Sequence, residues 1–154
     1  MFIAPASLRD FPALRKLEQA CFQKDAWSFL DLIAVLTYPE VVRLKAVEDD
    51  QMVGFIAGDP RPADALAWIA TLGVDPRYQR RGIGGALLQA CEHSLKQPIV
   101  RLTVRMSNQA AISLYTREGY SNAEIWKKYY SDGEDGVVME KRLLQVQPEK
   151  NRTI

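Results

Sequence analysis

The stretch RYQRRGIGGALL, residues 77–88, sets two arginines before three glycines in four positions and then turns at once into an apolar helical pattern. Glycine costs roughly 0.5–1 kcal/mol against alanine inside regular structure, so Gly82, Gly84 and Gly85 at a helix start imply a main chain that approaches something closely. The first N–H groups of a helix have no partner within it, and the helix dipole adds partial positive charge at that end. Such a turn suits phosphate, and pyrophosphate is the expectation.

The flanking residues place this turn in a βαβ unit. Residues 65–74 are rich in strand formers, and Gly84, Leu87, Leu88, Cys91 and Leu95 share one face of the helix that follows. After Pro98 a second strand runs from Ile99 to Val104, so residues 65–104 read as a right-handed crossover between parallel strands. Upstream, residues 2–4 form a short strand. Ser7 and Asp10 resemble a capping box for a helix from Phe11 to Phe22. Ser28 caps a second helix that carries Phe29, Leu32, Ile33 and Leu36 and stops before Pro39. VVRLKAVE (41–48) and MVGFIAG (52–58) flank the turn DDQ as an antiparallel hairpin, followed by the polar loop DPRPAD (59–64). Downstream come a helix from Ser107 to Glu118 and a last strand pair, AEIWKKYY (123–130) and VVMEKRLL (137–144). The polar tail 145–154 is expected to fray from a single domain spanning 1–144.

Bulk properties narrow the function classes. The chain has 154 residues, 47% hydrophobic and 25% charged, enough for one domain with a full core. Its 20 Lys plus Arg against 19 Asp plus Glu give a net charge of +1, unlike the basic footprint of a nucleic-acid binder. Cys21 and Cys91 lie far apart in apolar helical patterns, with no C-x-x-C and one histidine, His93, read as a surface residue; no metal site is expected. The N-terminus lacks the charged and apolar regions of a secretory leader, and no apolar run reaches the ~20 residues that span a bilayer. The expectation is a cytoplasmic, reduced protein without membrane or nucleic-acid partners, monomeric or homodimeric.

The segment GIGG lacks the spacing of a dinucleotide fold, and no GK[ST] follows as in a nucleoside-triphosphate loop. What remains is Q-x-x-G-x-G, formed by Gln79, Gly82 and Gly84, a pattern that by itself also fits an ordinary glycine-rich loop with solvated arginines. A second block, RLTVRMSNQAAISLYTREGY, puts Asn108 and Tyr115 seven residues apart, on one helix face.

Together the blocks QRRGIG and NQAAISLYTREGY resemble the signature of the GNAT N-acetyltransferase superfamily. The segments AWSF (26–29), VDPRYQRRGIG (74–84), VRMSNQAAISLY (104–115) and KYYSDGEDGVVM (128–139) are similar to RimI-like, ribosomal-protein alanine N-terminal acetyltransferases. The resemblance implies an α/β (α+β) GNAT fold, with a mixed, mostly antiparallel sheet of six to seven strands and about four helices. It also implies acetyl-CoA as cofactor. Backbone groups of Leu72, Gly73 and Val74 would pair with the pantetheine, and Gln79, Arg80, Arg81, Gly82, Ile83, Gly84 and Gly85, with Asn108 beyond them, would complete its site. Arg77 could also meet the phosphates. Tyr115 would protonate the departing thiolate, since a phenol of pKa ~10 keeps its proton at neutral pH. Trp27, Tyr129 and Tyr130 would face the acceptor, a protein or peptide N-terminus, ribosomal proteins among the candidates.

One position departs from that pattern. RimI-like enzymes carry a glutamate in L-E-V-R, where this chain has Leu102, Thr103, Val104 and Arg105. Threonine is no general base. An α-amino group has a pKa of ~7.7–8.0, so a neutral fraction exists without help, and Glu124 or Tyr130 could anchor a water chain for the last proton. Two other functions share these features: acetylation of a small amine, and a non-catalytic acyl-CoA-binding module. Retention of Tyr115 speaks against the second.

Overall fold

The architecture follows from the strand Gln51–Arg61, whose side chains alternate between two helical layers. In the computed structural model, which describes residues 1–143, the elements run β1 (Phe2–Pro5), α1 (Phe11–Cys21), α2 (Phe29–Thr37), β2 (Val42–Glu48), β3 (Gln51–Arg61), β4 (Leu66–Val74), α3 (Ile83–Ser94), β5 (Ile99–Arg105), α4 (Gln109–Arg117), β6 (Ser121–Trp126) and β7 (Gly136–Arg142). The tail 145–154 lies outside the described residues. Phe55 and Ala57 join a core cluster with Leu14, Leu17, Leu32 and Leu36 of α1 and α2, whereas Ile56 joins Leu87, Leu88 and Cys91 of α3 on the other face. This is the period-two alternation of a strand covered on both sides. Gly54 and Gly58 let α3 lie close: an added Cβ would come within 2.9 Å of Leu87 Cδ1 at one and 2.8 Å of Cys91 Sγ at the other.

One seven-stranded sheet, in the order β1-β2-β3-β4-β5-β7-β6, is antiparallel throughout except between β4 and β5. The fold expected from the sequence, including the parallel β4–α3–β5 unit and the four α-helices among the described residues, is the one found. The β4–β5 pairing covers three positions, Leu66 to Trp68 against Ile99 to Arg101. Two residues on, Ala57 pairs with Thr71 and Gly58 with Ile69, so Ala70 is an extra, unopposed residue in β4. A bulge bends its strand. Beyond it β4 and β5 part, and the sheet opens at its centre.

Local sequence explains most boundaries. The backbone N–H of Ser7 donates to Asp10 Oδ2 at 2.8 Å, as in the expected box before α1, and Ser28 Oγ accepts from the Asp31 N–H, the expected cap of α2. Asp49 and Asp50 both take positive φ, 50° and 58°, as a tight two-residue hairpin requires. Two expectations need correction. Residues 59–61, read as loop, prolong β3 by pairing with Leu66 to Trp68. Strand β6 stops at Trp126 instead of running to Tyr130, because Lys128 adopts φ 52° and gives its N–H to Asp135 Oδ1 at 2.8 Å. Tyr129 and Tyr130 therefore stand in the β6–β7 loop.

Candidate active site

Where β4 and β5 separate, a cleft of about 210 Å³ passes between the two helical layers. Ala70, Thr71 and Leu72 line it from β4, Thr103 and Arg105 from β5, Asn108 and Tyr115 from the α4 segment, and Glu18 from α1. Trp27 and Tyr130 close it from the α1–α2 and β6–β7 loops. A larger groove of about 750 Å³ adjoins it, sharing Trp27 and Ala70 and running along α2 past Asp31 and Tyr38 to the end of β3. Size alone would favour the groove. The titratable groups that point to chemistry line the cleft.

Tyr115 is buried, with its ring 6.0 Å from that of Tyr120. Burial, and next the nearby Tyr130, push its phenol up to about 12. It therefore holds its proton across the neutral range, as a donor must. Asn108, also on the cleft wall, caps α4: its Oδ1 accepts from the Ala111 N–H at 3.1 Å.

At the open edge of β4, strand alternation sorts the expected cofactor residues. The Asp75 N–H bonds Val53 O on β3 at 2.8 Å, so Gly73 also turns its polar groups to β3, and Leu72 and Val74 turn theirs to the gap. Gly73 is instead needed for packing, since an added Cβ would sit 3.2 Å from both Cys21 Sγ and Phe22 Cε2. The Val74 carbonyl already accepts from Gln79 Nε2 at 3.1 Å and Cys21 Sγ at 3.3 Å. Gln79 thus braces the turn, a role its place in the motif did not reveal.

The glycines of that turn also divide. Gly82 caps α3 with φ 79°, and an added Cβ would meet nothing within 4 Å: open space lies in front of it. Arg80 is left-handed too, at φ 62°. Gly84 and Gly85, by contrast, are buried against α4, where added carbons would press Leu114 Cδ2 at 3.0 Å and Glu118 Oε1 at 2.7 Å. Their lack of side chains is required by helix packing, a reason that the sequence alone did not show. The Ile83 side chain likewise belongs to the core, at 3% exposure. What these three residues offer is backbone N–H groups in the first helical turn, where no intrahelical partner exists. Arg80 and Arg81 are exposed beside them, Arg81 lying 5.0 Å over the Tyr78 ring, while Arg77 is paired with Asp75 at 2.9 Å.

Thr103 does lie in the cleft, and Glu124 is exposed on β6, away from it. Two groups that motif reading passed over matter more. Glu18 is a carboxylate at 3% exposure on the cleft wall. Its signal was present: it falls at i+4 from Leu14 and i−3 from Cys21, inside the buried stripe of α1. Arg105 gathers three carboxylates, Asp25 at 2.8 Å, Asp132 at 2.9 Å and Glu134 at 2.9 Å, with its guanidinium 4.2 Å over the Tyr130 ring. It thereby ties the α1–α2 loop to the β6–β7 loop across the cleft mouth. Asp132 and Glu134 are held below their ordinary values of 3.8 and 4.5, by the Glu134 N–H and then Arg105 at the first, and by Ser107 and then Arg105 at the second. Carboxylates depressed in this way support the fold fully above those values, and the support is lost as pH falls through their lowered ones. Arg105→Ala is expected to raise the KM for the molecule that enters at this mouth about tenfold, or ~1.4 kcal/mol. Steady-state kinetics checks this.

Among the described residues no cluster of His, Cys, Asp or Glu could hold a metal ion, and no helix is long and apolar enough to cross a membrane. Residues 11–120 match the model of the acetyltransferase (GNAT) family, and the chain belongs to that family. Over 150 residues it is 31% identical to the uncharacterized N-acetyltransferase MJ1530 of Methanocaldococcus jannaschii, covering 92% of each chain. It is 43% identical over 79 residues to the [ribosomal protein bS18]-alanine N-acetyltransferase of Escherichia coli K12, 47% of this chain and 53% of that one. The crystal structure of the ribosomal-protein-S18-alanine N-acetyltransferase from Escherichia coli superposes with a TM-score of 0.85 at 28% identity, covering 96% and 97%. For curated relatives such as the bS18-alanine enzyme, the chain matches only about half of their length.

Proposed function

We propose that this GNAT enzyme transfers an acetyl group from acetyl-CoA to the N-terminal α-amine of a protein or peptide. The observation that carries the reading is Tyr115, a buried phenol on the wall of a cleft that crosses the sheet at the β4–β5 opening. The opening provides two approaches. On the α3 side lie the left-handed Gly82 with open space before it, the unpaired N–H groups at residues 83–85 and the free edge of β4. These fit a pyrophosphate followed by an extended amide-bearing arm, which would lie along Leu72 and Val74 like an added strand. Exposed Arg80 and Arg81 add charge for the phosphates.

On the α1–α2 side the cleft meets the adjoining groove at Trp27, which gives an extended acceptor chain a place to lie. Tyr129 packs between Trp126 and Tyr130, with ring centroids at 5.2 and 5.0 Å and the Tyr130 contact edge-to-face, so the aromatic wall of that mouth is braced. Acetyl-CoA, when bound, supplies an acetyl group activated as a thioester. The work of the chain's own residues is to hold the amine against it, exclude water and move protons. Tyr115 gives its proton to the leaving sulfur.

A peptide that begins with Ala or Ser should be acetylated on its α-amine, and a copy with a blocked N-terminus should not. Mass spectrometry locates the label. Acetyl found only on lysine side chains, or only on a free polyamine, would overturn the peptide reading.

A further inference from the structure

Thr103 leaves the reaction without the carboxylate that a strand-borne glutamate would supply, yet a carboxylate lines the same cleft from the opposite wall. Glu18 projects from α1 onto β4, where its Oε1 accepts from Thr71 Oγ1 at 3.0 Å. Its second oxygen, Oε2, is buried and accepts no well-formed hydrogen bond among the described residues, although the Trp27 backbone amide lies close enough to the carboxylate to favour its charge. An unpartnered carboxylate oxygen at a buried position costs free energy, the more so when it is charged. Nothing in the packing of α1 requires it, since a leucine in that stripe would bury more apolar area. The free oxygen is accounted for if a substrate group completes its shell.

We propose that Glu18 is the proton acceptor for the acceptor α-ammonium, through its free Oε2, at hydrogen-bond reach or across one water. The assignment rests on the acetyltransferase reading above and deepens it. Glu18 enters the cleft from the α1 layer and Tyr115 from α4 in the opposite layer, so base and acid face each other across the opening. The Glu18 carboxylate takes one proton from the ammonium, freeing the nitrogen lone pair. A C–N bond forms to the acetyl carbon and the C–S bond breaks. The sulfur receives the Tyr115 proton, and the second nitrogen proton returns to the Tyr115 oxygen. Glu18 then gives its proton to solvent.

Desolvation raises Glu18 above its ordinary 4.5, while the Thr71 hydroxyl and next the Trp27 amide work against that rise. A stronger base results. The ionisable groups around it do not displace it. Cys21, one turn on, is pushed up to about 12, first by burial, and stays neutral; Asp25 and Arg105 neutralise each other; Tyr115 and Tyr130 both lie near 12.

The test is the pH dependence of kcat/KM for an Ala-initiated peptide. With Glu18 as base, the wild-type plateau continues below the amine's own pKa. Glu18→Gln, of equal shape and still able to accept from Thr71, should match wild type above pH ~8 and fall tenfold per unit below ~7.7–8.0, where only preformed neutral amine reacts. At pH 7 the deficit is then about tenfold. A uniform loss at every pH, or a profile identical to wild type, overturns the assignment. Thr103→Glu tests it without touching the buried group: whatever the height of its plateau, with a base already present the pH at which kcat/KM begins to fall should be that of wild type, and an acidward extension of the plateau would overturn the assignment. In the Glu18→Gln background the same second change should restore the plateau. Failure of the wild type to acetylate the peptide at all would instead refute the underlying reading.

Discussion

Gly82→Glu is expected to abolish acetyl-CoA binding while the fold stands. Three features decide this. Gly82 sits at φ 79°, so any L-residue there pays left-handed strain of about 1–2 kcal/mol, a tolerable fraction of the stability of a domain this size. An added Cβ meets nothing within 4 Å, so no core contact is displaced. The side chain would enter the open space before the first turn of α3, and its carboxylate would occupy the position where backbone N–H groups attract an anion. Gly82→Ala carries the same backbone strain without the charge and serves as the control. It should bind acetyl-CoA measurably, whereas the glutamate variant should give no heat in calorimetry at concentrations that saturate wild type. Circular dichroism should show both folded. Undiminished affinity of Gly82→Glu would move the pyrophosphate elsewhere. Gly85→Glu would be a poor substitute, because its Cβ would press Glu118 at 2.7 Å and any loss could be one of packing.

This contrast marks where the sequence was legible. Motif spacing placed the glycine turn at the start of α3 and Tyr115 on the helix face that lines the cleft, and periodicity located all four helices, because both depend on residues close in the chain. The three glycines looked equivalent, although only the tertiary contact with α4 separates the two that permit packing from the one that leaves room. Tertiary contact also hid the cleft's other carboxylate. Glu18 interrupts an apolar stripe, a visible irregularity, but its meaning depends on Thr71, 53 residues away, and on Oε2 accepting no well-formed hydrogen bond among the described residues. Arg105 was one residue in a strand until the fold brought Asp25, Asp132 and Glu134 around it from two loops. The bulge at Ala70 had no sequence signal. It appears only as a register shift against β3, yet it precedes the opening of the sheet on which the site depends.

Tyr115→Phe is expected to lower turnover by roughly 10²-fold or more while leaving folding and acetyl-CoA affinity nearly intact. The substitution keeps the ring and its 6.0 Å contact with Tyr120 and removes one oxygen. Among the described residues that hydroxyl makes no hydrogen bond within the chain, so its loss strands no partner and should cost at most about 1 kcal/mol of stability. Its chemistry is another matter. A thiolate leaving an acetyl group has no other protonated side chain on the α4 wall of the cleft, and the phenol, pushed up to about 12 by burial, stays loaded at every pH at which the enzyme would be assayed. For the same reason the wild-type profile should show no alkaline loss from this group below that value. Single-turnover measurements on the phenylalanine form separate the roles. A slowed chemical step with unchanged acetyl-CoA dissociation identifies the hydroxyl as the general acid. Near-normal turnover, with or without a small drop in melting temperature, would remove Tyr115 from the mechanism and leave it as a core residue that happens to touch the cleft.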